Sequence, residues 1–214
     1  MARIAIAGSS YPKAIGTYLA RAAHEHGHEV VRLGKLGDEV GLDRDLVGAD
    51  AVVLIPLRGD IWRHTHRATV RLIEAAHRQP VPAHLVLFSS FAVGHGAAHP
   101  LNGIDPALLP GRLAAERDLR ASGLPYTIVR ATWLTDDPPG SHALTLTQNP
   151  FADGMVARAD IAAAMLAAIE HPSALGTTFA LFNEPGPTCV DWAKALSGLR
   201  LDVEDEDLVR EDPT

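Results

Sequence analysis

The apolar run "AHLVLFSS" (residues 83–90) ends on two hydroxyls, Ser89 and Ser90, with His95 and His99 shortly after them. Hydroxyls at the end of such a run can orient a bound molecule, and a nearby histidine can move a proton. A second candidate is the turn "GSSYPKAIG" (residues 8–16), between the run "RIAIA" and a helical pattern. Backbone N–H groups at a strand-to-helix turn aim at an anion, and the positive end of the helix dipole adds to the attraction. Glycine stands only at the ends of this turn, Gly8 and Gly16, where a dinucleotide fingerprint has another in the middle. Ser9, Ser10 and Lys13 can supply by hydroxyl and charge what that glycine would give, and Pro12 suits a first helical turn. A side chain placed where the backbone must approach closely would instead push a phosphate away. Retained binding and a lost ligand are both compatible with the turn; retained binding is the reading adopted.

Several other reactive residue types are explained by position. "HEHGH" (residues 24–28) matches H-E-x-x-H, but Gly27 stops the helix that this zinc pattern requires. No metal site is expected. The histidines at 64 and 66 open a helix as capping or surface groups, and Trp62 and Trp192 are packing anchors. Glu116 is expected to be a surface or pairing residue. Cys189, the single cysteine, excludes an internal disulfide and is too isolated to be called a nucleophile.

The elements that position these groups alternate along the chain. Strands are predicted at residues 3–8, 28–34, 49–57, 83–90, 124–130 and 177–183. Helices are predicted at residues 14–27, 65–79, 110–123, 159–171 and 189–199. Continuous apolar strands separated by helices imply a parallel sheet covered on both faces. The expected architecture is α/β: a doubly wound, mostly parallel, Rossmann-like sheet in a single domain. Ligands in such sheets lie beyond the carboxyl ends of the strands. That rule selects residues 8–16, Lys35, residues 55–58 with Ile55 and Pro56, residues 89–99, and residues 130–133 with Arg130, Ala131, Thr132 and Trp133. Ile15 and Gly16 open the first helix.

The chain has 214 residues, 47% of them hydrophobic, enough for one substantial core. Its net charge of −7 is concentrated at the end, where seven acids against Arg200 and Arg210 follow residue 199. Residues 1–198 are expected to form the domain, and residues 199–214 a solvated acidic tail. No basic stripe appears, so nucleic acid is not an expected direct ligand. The longest apolar run, "IAAAMLAAI", is about half a membrane span, and no membrane partner is expected. A cytoplasmic protein is the expectation.

In order and spacing, "AGSS…IG", "GHEVVRLGK", "GADAVVLI", "HLVLFSS", "RLAAERDLRASGLPYTIVRATWLTD" and "ADIAAAMLAAIEHP…GTTFALFN" resemble the atypical short-chain dehydrogenase/reductases. The likeness is to the NAD(P)H-binding, NmrA-like and biliverdin/flavin-reductase-like group, over roughly residues 2–185. It implies a dinucleotide cofactor along the strand ends, with residues 130–132 beside the nicotinamide. It also implies that Lys35, with Arg32 assisting, contacts a 2′-phosphate, favouring NADP over NAD. Asp38 or Glu39 would grip a ribose in the NAD case. The family's catalytic tyrosine and lysine fall at Leu108 and Arg112; leucine cannot donate a proton, and arginine holds an anion but does not readily release one.

The function implied is NADPH-dependent hydride transfer to a small planar conjugated substrate such as a flavin or quinone. Ser89 or Ser90 would orient that substrate, Arg112 and Arg130 would position cofactor or anionic substrate, and Trp133 and His95 would face it. Residues 131–157 would form the substrate segment. The alternative is a non-catalytic regulator of NmrA-like type that senses NAD(P). A third outcome is a degenerate fold that binds no nucleotide.

Overall fold

Residues that read as uninterrupted apolar runs become the centre of one sheet. In the computed structural model, β1 (Arg3–Ala7), β3 (Ala51–Leu54), β4 (His84–Ser90) and β5 (Tyr126–Ala131) are buried along nearly their whole length. β2 (Glu29–Arg32), β7 (Ala143–Thr147) and β9 (Thr177–Glu184) complete a seven-stranded sheet in the order β2-β1-β3-β4-β5-β9-β7. All neighbours run parallel except β7, which lies antiparallel to β9. A separate two-stranded parallel ribbon joins β6 (Trp133–Thr135) to β8 (Met155–Ala157). The structure describes residues 1–8, 10–95, 99–186 and 190–203; Ser9, Cys189 and residues 204–214 of the tail lie outside the described residues.

Alternation along each strand divides the core in two. Ile4, Ile6, Val86 and Phe88 face α1 (Ile15–Glu25), α6 (Arg158–Glu170) and α7 (Trp192–Ser197). Ala5, Ala7, Leu85 and Leu87 face α2 (Glu39–Leu46), α3 (Arg67–His77) and α5 (Leu108–Ala121). Helices on both faces make the sheet doubly wound, the architecture that the sequence predicts.

The differences have local causes. The polar stretch after β2 holds α2, whose N-terminus Asp38 caps by accepting from Gly41 N–H. Residues 131–157, expected as the substrate segment, contain the ribbon and all of β7; "ALTLT" is half-buried throughout because it lies at the sheet edge. A π-helical turn at Trp62–His66 precedes α3, and Trp62 is 43% exposed, so it is no packing anchor. Trp192 does pack on the α1/α6 core. A short α4 (Pro100–Ile104) precedes α5. Glu116 is fully buried rather than on the surface, and is the pairing residue of the two alternatives expected, held by Arg120 and Arg130. Asp202 is docked: it accepts hydrogen bonds from Thr178, Arg120 and Tyr126, so the chain stays attached past residue 199.

Candidate functional site

The sheet order reverses direction between β1 and β3, so the chains leaving their carboxyl ends run to opposite sides, the switch point where such sheets form a binding crevice. Gly8 closes the end of β1: a Cβ there would lie 2.8 Å from the carbonyl oxygen of Ile55. The two strand ends touch at this point through the Ile55 N–H bond to Ala7 O, 2.8 Å. Beyond Gly8 the chain turns around the Tyr11 carbonyl, which accepts from Ala14 N–H and Thr17 Oγ1, both at 2.9 Å. Tyr11 is 52% exposed, so its ring does not plug the turn. At the N-cap of α1, Ala14 has no side chain to bond the first-turn N–H groups, and that turn contains no acid. The positive end of α1 at this switch point is a place where an anion can be held.

Neighbouring candidates are partly engaged. Ser10 is exposed, and Ser9 lies outside the described residues. Lys13 pairs with Asp136 at 3.6 Å, and Arg158 Nη1 holds the same carboxylate at 2.5 Å. At the end of β2, Arg32 donates to Gly16 O at 2.7 Å, which brings its guanidinium beside the start of α1. Lys35 is exposed on the following loop. Asp38 Oδ1 caps α2, which engages one oxygen of the carboxylate considered for a ribose grip.

At the ends of β4 and β5 the structure brings Ser89 and Arg130 together as register partners, with one acid between them and α5. Ser89 is 2% exposed and donates its hydroxyl to Glu116 Oε1 at 2.5 Å. Arg130 forks onto the same carboxylate at 3.1 and 2.6 Å, and Arg120 adds a third contact at 3.0 Å. Burial pushes the Glu116 carboxyl up, but Arg130, Arg120 and the Ser89 hydroxyl outweigh it and hold the group below its ordinary range. Ser89 and Arg130 therefore face inward. Ser90 faces a different way, and its hydroxyl has no partner among the described residues. Arg112 Nη1 donates to Phe88 O at 3.1 Å, and burial lowers its pKa to about 10, leaving it charged at neutral pH.

The far wall is aromatic. Trp133 and Phe91 meet edge to face at 5.7 Å, Phe91 meets His99 at 5.7 Å, and His95 sits 5.3 Å from His99 and 5.5 Å from Phe151. His95 Nε2 lies 2.8 Å from Pro150 O, so it belongs to a packed wall rather than to a loose loop. Thr132 turns its hydroxyl onto Leu181 O at 3.0 Å, which leaves only its backbone for the crevice. Ala131, Ile55 and Pro56 line strand ends. Sequence reasoning missed Asp136, Phe91 and the hub role of Glu116; the Glu116–Arg120 spacing of one helical turn was the available signal.

The "HEHGH" histidines do converge, though not as that motif requires. His26 and His28 both bond Glu170 Oε1, at 2.8 and 2.9 Å. His28 Nδ1 also accepts from Ala2 N–H at 3.0 Å, so its Nε2 carries the proton donated to Glu170. A metal on Nε2 would need the opposite tautomer, which turns two N–H groups against each other. The trio is a clamp between α1, β2 and α6.

Fold and crevice together define a dinucleotide-binding, Rossmann-like protein of the atypical short-chain dehydrogenase/reductase type. The chain belongs to the NAD(P)H-binding family, whose model matches residues 16–172. The match begins at Gly16, past the turn that departs from the glycine pattern. Sanguinarine reductase of Eschscholzia californica is 34% identical over 107 residues, 48% of this chain and 39% of that protein. The chain spans less than half the length of the curated relatives it matches. Among solved structures, an oxidoreductase from Lactococcus lactis superposes with a TM-score of 0.73 at 16% identity, covering 91% of this chain and 95% of that one. A short-chain dehydrogenase/reductase from Veillonella parvula in complex with NADP gives 0.67 at 18% identity, over 87% and 96%. No helix among the described residues is long and apolar enough to cross a membrane.

Proposed function

We propose that this protein is an NADPH-dependent reductase that passes a hydride to a small planar conjugated acceptor such as a flavin or quinone. The observation that carries the reading is the uncapped, acid-free start of α1 at the β1/β3 crevice, where Gly8 is the residue that fits. The diphosphate would rest on the N–H groups there, with Ser10 and Lys13 at its rim. Arg32 and Lys35 at the end of β2 favour a 2′-phosphate, and Asp38 is partly engaged in capping α2. The Veillonella relative bound to NADP supports the same choice. When bound, the cofactor supplies the hydride.

The chain's own residues would set the acceptor. Ser90 offers an unpartnered hydroxyl, and the aromatic wall with Trp133 and His95 offers flat apolar surface. Ser89 and Arg130 would act at one remove, through Glu116. No tyrosine competes for the proton-donor role: Tyr126 bonds Asp202 at the amino end of β5, and burial pushes its hydroxyl above the ordinary range. A conjugated acceptor needs no such acid, because solvent or Ser90 can deliver the proton. The name of sanguinarine reductase, a reductase at 34% identity, supports this reading. A second reading, a dinucleotide sensor without turnover, draws support from the locking of Ser89 and Arg130 by Glu116.

Titration with NADPH and NADH, followed by cofactor fluorescence, tests binding; NADPH oxidation with added flavin or quinone then tests turnover. Tighter NADPH with turnover is expected. Binding without turnover supports the sensor. No binding below millimolar concentrations rejects both.

A further inference from the structure

Arg112 projects from α5, on the Leu85/Leu87 face of the sheet, yet its guanidinium carbon lies 5.1 Å from the ring of Phe88, which belongs to the opposite face. It reaches there beyond Leu54–Leu87, the last paired residues of β3 and β4. The side chain thus crosses at the open strand end, inside the crevice. Its Nε is buried and has no hydrogen-bond partner.

The carboxylates near this spot are already engaged. Arg130 and Arg120 share Glu116, and Arg120 also holds Asp202. Arg112 has no carboxylate within ion-pair distance among the described residues. Glu116 acts on Arg112 through space only, its two oxygens being taken by Arg130, Arg120 and Ser89. A desolvated guanidinium with an unpaired N–H is costly and is stabilised by any anion that reaches it.

Neither cofactor phosphate fits that need. A diphosphate belongs at β1 and a 2′-phosphate at β2, whereas Arg112 stands at the end of β4. With strands about 4.8 Å apart, the end of β4 is about 10 Å from β1, on the side away from β2. Phe88, which Arg112 contacts, is followed on β4 by Ser90 and then by the Phe91/Trp133 wall, the residues assigned above to the acceptor.

We propose that Arg112 is the anion-recognising residue of the acceptor site, so that the preferred acceptor carries a phosphate, carboxylate or similar negative group beside its planar ring system. This rests on the reductase reading and narrows its substrate class. Phe88 holds the guanidinium from one side and its carbonyl fixes one nitrogen, which leaves Nε and the second terminal nitrogen for a two-point contact with an anion.

FMN and riboflavin differ by one phosphate on the same ring system and are the probes. Their binding to the protein saturated with NADP⁺ is measured by calorimetry, so that the dinucleotide site is already filled. FMN is expected to bind about tenfold tighter or more. Arg112→Met should erase that difference while leaving riboflavin unchanged, and Arg112→Lys should restore part of it. Equal binding of the two flavins, equal losses in Arg112→Met, or binding of neither overturns the proposal. If Arg112→Met proves unfolded by circular dichroism, the wild-type preference and Arg112→Lys decide. NADPH oxidation is followed separately: a preference for FMN without turnover keeps the anion site and removes the reductase reading, and turnover without preference does the reverse.

Discussion

Ser89 and Glu116 are joined by a hydrogen bond between two buried side chains, one ending a central strand and the other on the helix that covers it. Glu116 is tolerated without water because Arg130, Arg120 and Ser89 together satisfy both of its oxygens. Glu116→Gln keeps the shape but leaves Arg130 buried without its counter-charge, a loss of about 3 kcal/mol or more in unfolding free energy. The folded carboxyl is held below its unfolded value, so its contribution is present above about pH 4.3 and disappears as pH falls through the folded value. Urea unfolding of both proteins at neutral and acidic pH reads this. Equal stability at neutral pH would contradict the hub role.

His84 gives a second pH signature in a different window. It is buried on β4, bonded to Thr127 Oγ1 at 2.9 Å, and burial lowers its pKa from 6.5 to about 4. The unfolded chain then binds the proton first, so stability falls as pH drops from about 6.5 towards 4, by about 3 kcal/mol in total. His84→Gln should flatten that part of the stability profile while retaining the bond to Thr127. A profile of unchanged slope would show that His84 is not the titrating group.

Gly8→Ala probes the closest approach in the crevice. The added methyl meets the Ile55 carbonyl at 2.8 Å, which is backbone and cannot swing away. Either the end of β1 or the end of β3 must shift, at a cost of about 1–3 kcal/mol. NADPH affinity should fall with stability, because the same shift moves the N-terminus of α1. Unchanged affinity by fluorescence titration would place the diphosphate elsewhere.

How much of this was legible depends on the range of each interaction. β1, β3, β4 and β5 are visible in sequence because strands covered on both faces read as near-continuous apolar runs. The absence of a tyrosine–lysine pair at Leu108 and Arg112 is equally plain. β7 is hidden because an edge strand with half-buried residues makes no strong pattern. α2 is hidden because its signal lies in one cap, Asp38. The Ser89–Glu116–Arg130 assembly needs β4, β5 and α5 to be packed before its members meet; only Glu116 and Arg120 are neighbours in local geometry. Asp136, which holds both Lys13 and Arg158, has no local signal at all.

The two cations at the end of β2 should separate the cofactors. Lys35→Ala removes an exposed charge with no structural partner among the described residues, so NADPH should weaken about tenfold and NADH should hardly change. Arg32→Ala also removes the bond to Gly16 O, and so should weaken both cofactors, NADPH more. Equal losses of NADPH and NADH in Lys35→Ala would exclude a 2′-phosphate contact by that residue.

Asp136 makes the sharpest test of the turn after β1. Its carboxylate occupies Lys13 and Arg158, the cations of that turn and of the α6 start. Lys13 and Asp136 are both well exposed, but Arg158 is only 16% exposed and loses its carboxylate, so Asp136→Asn should cost about 1–3 kcal/mol of stability, and binding is read on the folded protein. The substitution should, however, free Lys13 for an arriving diphosphate and remove a like charge from its path. Both NADPH and NADH should then bind several-fold tighter, since both carry the diphosphate, and added salt should shrink the gain. Lys13→Ala on the same background should abolish it. If Asp136→Asn instead weakens both cofactors, the Lys13–Asp136 pair shapes the turn for binding rather than competing with the ligand.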